Sequence, residues 1–226
     1  MRNFNLFRNI WRLNAILITL ICILIFSFLV LGIYRDRVNR VADRGVVVVN
    51  QNINLEETFY LGKLDRIKGS EFVIVPLYAR QKTDLGLYPD QKSISTRNIL
   101  FADVNKGINK WLLPNNNTLI SHYDLISSLD DKDQRVIAFL YQIISADTNQ
   151  DGRLTENDAL SVALSLPDSS NYRKILDNIK SVVGYELLSS DRLAILYMKN
   201  DQGFICYVKL PEFQIIKEIP IPPFNS

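Results

Sequence analysis

Cysteine, histidine and methionine are nearly absent from this chain: its 226 residues include two cysteines, two methionines and a single histidine, His122. Cys22 sits inside a long apolar run and Cys206 inside a β-like apolar segment, so the two do not bridge and no disulfide scaffold organises the fold. Cys206, between Ile205 and Tyr207, reads as a small buried hydrophobe. A lone histidine excludes zinc sites built on several. It also leaves any histidine-based triad to His122, whose Ser-His-Tyr-Asp surroundings carry no nucleophile motif. An excess of one charge is missing too. With 26 basic against 24 acidic residues the net charge is +2, so there is no electrostatic footprint for nucleic acid. The chain contains no GxSxG, HExxH, P-loop or GxGxxG pattern.

What is present begins with residues 13–33, LNAILITLICILIFSFLVLGI, which carry no charge. A helix of about 21 residues at ~1.5 Å each spans a hydrocarbon core of about 30 Å. Arg8 and Arg12 precede the run; Arg35, Asp36, Arg37 and Arg40 follow it, with Trp11 and Tyr34 at its two ends. The competing reading is a cleaved signal peptide, whose apolar region is usually about 7–15 residues and is followed by small residues. This run is longer, and Phe28, Val30, Gly32 and Tyr34 make a poor cleavage site. The expectation is therefore an uncleaved transmembrane signal anchor at 13–33, after a short tail at 1–12 and before a connector at 34–54 and an exported domain at 55–226. Arginines flank both sides, so the positive-inside count barely chooses an orientation. The long body favours a single-pass protein with its C-terminal domain outside the cytoplasm, periplasmic or extracellular.

Residues 147–158, DTNQDGRLTEND, place oxygen atoms at the spacing a twelve-residue calcium loop requires. The expected ligands are Asp147, Asn149, Asp151, the carbonyl of Arg153, Thr155 and Asp158, at positions 1, 3, 5, 7, 9 and 12. Gly152 stands at position 6, where the backbone turns sharply, and Leu154 points inward at position 8. The competing reading is an Asx-rich turn that binds nothing.

On these residues the chain resembles the EF-hand family over 133–165. The resemblance implies helix–loop–helix geometry and bound Ca²⁺. Asp158 is shorter than the glutamate usual at position 12, as in dockerin-like modules, which leaves Mg²⁺ possible. No second loop follows the pattern: Asp130, Asp131 and Asp133 lack the glycine and the spacing. Sensor hands open a Met-rich groove, and neither Met1 nor Met198 lies near this loop, so a structural ion is expected rather than a switch.

Three amphipathic helices are expected around the loop. In 133–146, Val136, Phe139, Leu140, Ile143 and Ile144 share one face; in 156–165, Ala159, Leu160, Ala163 and Leu164 do so before Pro167. In 169–183 the face is Tyr172, Ile175, Leu176, Ile179 and Val183. Strands are expected at 46–49, 59–68, 71–80, 97–104, 192–199, 204–210 and 213–219, with Pro76 marking an edge or bulge and a four-residue hairpin loop at 200–203. The strand at 97–104, the turn at Lys106-Gly107 and Trp111-Leu112-Leu113 resemble a single β-propeller blade, a likeness that carries no function. The triplet at Asn116 reads as a turn.

The fold class expected is α+β: strands, a helical insert carrying the loop, then strands again. The function expected is a membrane-anchored, non-catalytic domain in which Ca²⁺ has a structural role, serving binding or assembly with a protein partner at the membrane. One alternative is an extracytoplasmic hydrolase with a supporting metal. Asp103, Asp124 and Asp191 are available to it, but no spacing pairs them. The other is a calcium-responsive regulator.

Overall fold

The computed structural model describes residues 11–12, 14, 19, 21, 47–49, 56–82, 93–103, 105–129 and 134–223. The chain divides into two compact units, Met1–Asp43 and Arg44–Ser226. In the first, the described residues Trp11, Arg12, Asn14, Thr19 and Ile21 are helical. Most of the expected anchor at 13–33 lies outside the described residues. Among the described residues no helix is long and apolar enough to cross a membrane, so the single-pass localisation is withdrawn.

The second unit is built from strands, which corrects the α+β expectation. After β1 (Val47–Val48) come β2 (Glu56–Leu61), β3 (Asp65–Arg66), β4 (Phe72–Lys82), β5 (Ser93–Asp103) and β6 (Asn109–Trp111). They form a first antiparallel sheet in the order β2-β4-β5-β6, with β3 also on β4; β1 lies outside it. Next are β7 (Leu119–Ser127), β8 (Val136–Ile144), β9 (Arg153–Leu154), β10 (Leu160–Ser165) and β11 (Arg173–Ile179). Of these, β11-β10-β8-β7 make the second sheet, while β9 pairs with β1. The third sheet, β12-β13-β14-β15, is a meander of Ser181–Ser189, Arg192–Lys199, Gln202–Lys209 and Gln214–Pro220.

None of the three expected helices forms. The segment 133–146 gives β8, 156–165 gives the end of the loop and β10, and 169–183 gives β11 and the start of β12. For the first two, the physical reason is that β8 and β10, in the middle of the second sheet, are covered on both faces. Leu140, Ile144, Val162 and Leu164 face a core shared with the third sheet, where Leu193, Ile195, Tyr197, Cys206 and Val208 meet them. Phe139, Tyr141, Ile143 and Ala163 face the other way, onto Ile67, Ile74, Ile99 and Phe101 of the first sheet and its connections. A strand buried on both faces reads as an unbroken apolar run, and any such run contains the i, i+3, i+4 subset of a helix. The two-residue alternation between the cores is what β geometry requires.

Smaller corrections follow the same logic. The hairpin between β13 and β14 turns on Asn200 and Asp201 alone, at φ of 49° and 59°, a two-residue loop rather than four. Pro76 is not at an edge: it pairs with Ile99 inside β4, one residue before a register shift at Leu77/Tyr78. On its other side it faces the gap between β2 and β3, where its carbonyl accepts from Gly62 N–H.

Candidate functional site

The loop 147–158 joins β8 to β10 and contains β9, so it connects strands, not helices. Within it the expected residues are tied by their own side chains. Asp147 accepts from the backbone N–H of Asp151 through Oδ1 (3.1 Å) and from that of Gly152 through Oδ2 (2.7 Å). Asn149 Oδ1 accepts from Asp151 N–H (3.0 Å), and its Nδ2 donates to Asp151 Oδ2 (3.1 Å). Asp151 Oδ1 in turn accepts from Arg153 N–H (2.9 Å). Gln150 and Gly152 take positive φ, 61° and 80°, and the N–H groups of Asp151 and Gly152 turn inward onto the Asp147 carboxylate.

Asp158 behaves differently. It is 2 % exposed, and its Oδ1 accepts from Thr148 N–H (2.7 Å), Thr148 Oγ1 (3.2 Å) and Asn149 N–H (3.2 Å). Its Oδ2 accepts from Thr155 N–H at 2.8 Å. Burial alone would raise this carboxyl, but the hydrogen bonds from Thr155, Thr148 and Asn149 together hold it below its ordinary value. The residue staples the start of the loop to its end.

The structure therefore brings Asp147, Asn149 and Asp151 together and turns Asp158 onto backbone donors. Arg153 lies in β9 opposite Val48, and Thr155 closes a turn by accepting from Asp158 N–H (3.0 Å) with its carbonyl. Among the described residues no group of three or more His, Cys, Asp or Glu is arranged to hold a metal ion. The donor types suit a hard cation, but both Asp147 oxygens, Asn149 Oδ1 and both Asp151 oxygens each already accept an N–H from within the loop. Among the described residues Asp147, Asp151 and Asp158 form no ion pair with lysine or arginine.

The carboxylates weighed for hydrolysis are dispersed. Asp103, in the first sheet, accepts from Asn105 N–H (2.9 Å) and Lys106 N–H (3.0 Å) and shapes a turn. Asp191, between β12 and β13, accepts from Ser189 Oγ (2.7 Å). Asp124, on β7, pairs with His122 Nε2 at 2.9 Å. That hydrogen bond raises the His122 pKa above 6.5 against partial burial, with the charges of Asp124 and Glu156 adding to it. The protonated imidazole is thus favoured in the fold; its contribution is complete below about 6.5 and is lost as pH rises through the folded value. In an NMR titration His122 should ionise above its ordinary value, and Asp124→Asn should lower the midpoint. A wild-type midpoint at or below the ordinary value would contradict the pairing.

Two features escaped the sequence reading. One is a buried polar group in the first sheet: Arg97, 3 % exposed, donates to Glu57, which also accepts from Gln81 Nε2 (3.2 Å). The signal available was an arginine inside a strand, since a buried charge needs a partner. The other is the face of the third sheet turned away from its core, where Ala194, Leu196, Met198, Ile205 and Tyr207 are half-buried. Beside them a depression of about 280 Å³ is lined by Arg192, Tyr207, Ile216, Lys217 and Ile219.

No family model matches the chain, and no curated protein does. Among solved structures it is similar to the β-propeller domain of the Trilobed protease from Pyrococcus furiosus, with 15 % identity and a TM-score of 0.38, covering 74 % of this chain and 45 % of that one. It is also similar to the Pyrococcus horikoshii acylaminoacyl peptidase, with 12 % identity and a TM-score of 0.34, covering 75 % and 26 %. For the Dos1 propeller the identity is 10 % and the TM-score 0.36, covering 78 % and 51 %. The chain spans about half or less of each of those chains.

Proposed function

We propose that loop 147–158 takes up Ca²⁺ as a structural ion and that the β unit carrying it is a non-catalytic module for protein binding or assembly. The observation that carries the calcium reading is the set of side-chain bonds that gathers Asp147, Asn149 and Asp151 on one turn, with no lysine or arginine paired to them among the described residues. Close carboxylates repel, and a divalent cation is the simplest neutraliser. Ca²⁺ suits the site better than Mg²⁺, which demands near-ideal octahedral geometry, because the Asp158 staple leaves an irregular ligand set. The half-buried apolar strip on the third sheet supports a docking role, while the dispersal of Asp103, Asp124 and Asp191 gives no support to hydrolysis.

A ligand that binds only the folded state raises its stability by mass action. The full chain should therefore melt several degrees higher in ~1 mM Ca²⁺ than in EDTA if the dissociation constant is about 10 μM. Asp151→Ala should abolish the shift. Identical wild-type melts in both buffers would sink the calcium reading.

A further inference from the structure

Strand β1 is held from two sides by parts of the molecule that belong to different sheets. On one edge Val48 pairs with Arg153, and Val49 N–H donates to the Gly152 carbonyl at 2.8 Å, inside the acidic loop. On the other edge the Gln81 side chain of β4 does what a neighbouring strand would do. Its Oε1 accepts from Val48 N–H (2.7 Å) and its Nε2 donates to the Val48 carbonyl (3.3 Å). The same Nε2 reaches Glu57 Oε1 at 3.2 Å, and Glu57 accepts from the Arg97 guanidinium. Gln81 is 4 % exposed and Val48 8 %, so water does not readily replace these bonds. Arg97 Nε is itself buried without a partner, which leaves the burial of this guanidinium dependent on Glu57.

We infer that β1 is a latch joining loop 147–158 to the first sheet, so that closing the loop and seating Gln81 on Val48 reinforce each other. The loop offers its Gly152 carbonyl and Arg153 ladder to β1 only when the turn from Asp147 to Arg153 is formed. Gln81 is aimed at Val48 only when Glu57, fixed by Arg97, orients its amide. Each closure presents β1 already ordered to the other, and the coupling is reciprocal by linkage. A cation that tightens the loop therefore tightens 47–49 as well, and a change in the first sheet alters the affinity of the loop. The identity of the cation rests on the calcium reading above; the latch itself stands on the hydrogen bonds.

Amide hydrogen exchange on the full chain reads both sides, because Val49 N–H reports the loop and Val48 N–H reports Gln81. Adding ~1 mM Ca²⁺ to the wild type should slow both amides up to about a hundredfold relative to EDTA, by the mass-action effect of an ion bound at about 10 μM. Gln81→Leu keeps the bulk and removes the amide; it should speed exchange at Val48 and Val49 and weaken Ca²⁺ binding, followed by calorimetry, about fivefold. If that variant does not fold, Gln81→Glu keeps the acceptor for Val48 and loses the donor, and should shift both readouts in the same direction. Ca²⁺ binding with no change at Val48, or binding of unaltered strength in the folded Gln81 variant, would overturn the latch. If calorimetry finds no binding in the wild type, the calcium reading falls separately. The latch is then judged without metal: Asp151→Ala, which breaks the turn, must still speed exchange at Val48, and failure to do so overturns it.

Discussion

Replacing Asp158 with asparagine is expected to destabilise the protein by about 3 kcal/mol at neutral pH, even in EDTA. All four of its bonds are accepted from donors: Thr148 N–H, Thr148 Oγ1, Asn149 N–H and Thr155 N–H. An asparagine has one oxygen, so whichever way it is turned its NH₂ group confronts a backbone N–H in a site that is 2 % exposed. Hydrogen bonds to a charged acceptor contribute about 1.5–3 kcal/mol each, and an orphaned buried donor costs a similar amount. Urea unfolding of the two proteins measures the difference. Its pH dependence is a second check. The folded carboxyl titrates below 3.8, so the wild-type advantage is fully present above that value and is lost as pH falls through the folded pKa. The curves for wild type and Asp158→Asn should converge in acid. A gap below about 0.5 kcal/mol at pH 7 would mean that the carboxylate does not hold the loop.

The loop illustrates how far a sequence carries. The spacing from Asp147 to Asp158, read as a calcium loop between helices, falls on a turn between strands that folds on its own Asx side chains, through bonds that span only a few residues. It did not reveal what lay on either side, because the flanks are long-range structure. The run Val136–Ile144 is apolar on both faces only because the first and third sheets cover it, and those lie far away in the chain. β13 was legible at its observed bounds, 192–199, because a short apolar run there ends at the turn residues Asn200 and Asp201; in the fold it buries Leu193, Ile195 and Tyr197. The role of Asp158 was missed for a related reason. Whether a carboxylate at position 12 turns to a cation or to backbone donors depends on the helix or strand that follows, and spacing does not encode that choice. Nor could Gln81, unremarkable in a polar stretch, be linked to Val48 at a separation of 33 residues.

Truncating Phe139 to alanine is expected to have the largest effect of any single change considered, about 4 kcal/mol. The ring is fully buried in β8, the strand both cores share. It meets Phe101 of the first sheet edge-on, with centroids 5.3 Å apart at 76°, and stacks on Tyr141 at 5.9 Å. Its backbone is fixed on both sides, opposite Leu125 of β7 and Ser165 of β10, so the sheet cannot relax into the space left behind. A cavity that cannot collapse retains the full penalty of lost transfer energy and lost dispersion contacts. The comparison that isolates this cause is Val183→Ala on β12. That residue is 60 % exposed, so its truncation should stay within about 0.5 kcal/mol although it is also an apolar strand residue. Helical packing of 133–146 and 169–183 would instead place Phe139 and Val183 on equivalent apolar faces and give them comparable losses. Chemical denaturation of the two variants thus measures the burial of β8 and tests the all-strand architecture at once: a large loss at Phe139 with near neutrality at Val183 is the signature of a sheet covered on both faces beside one whose neighbouring strand lies open.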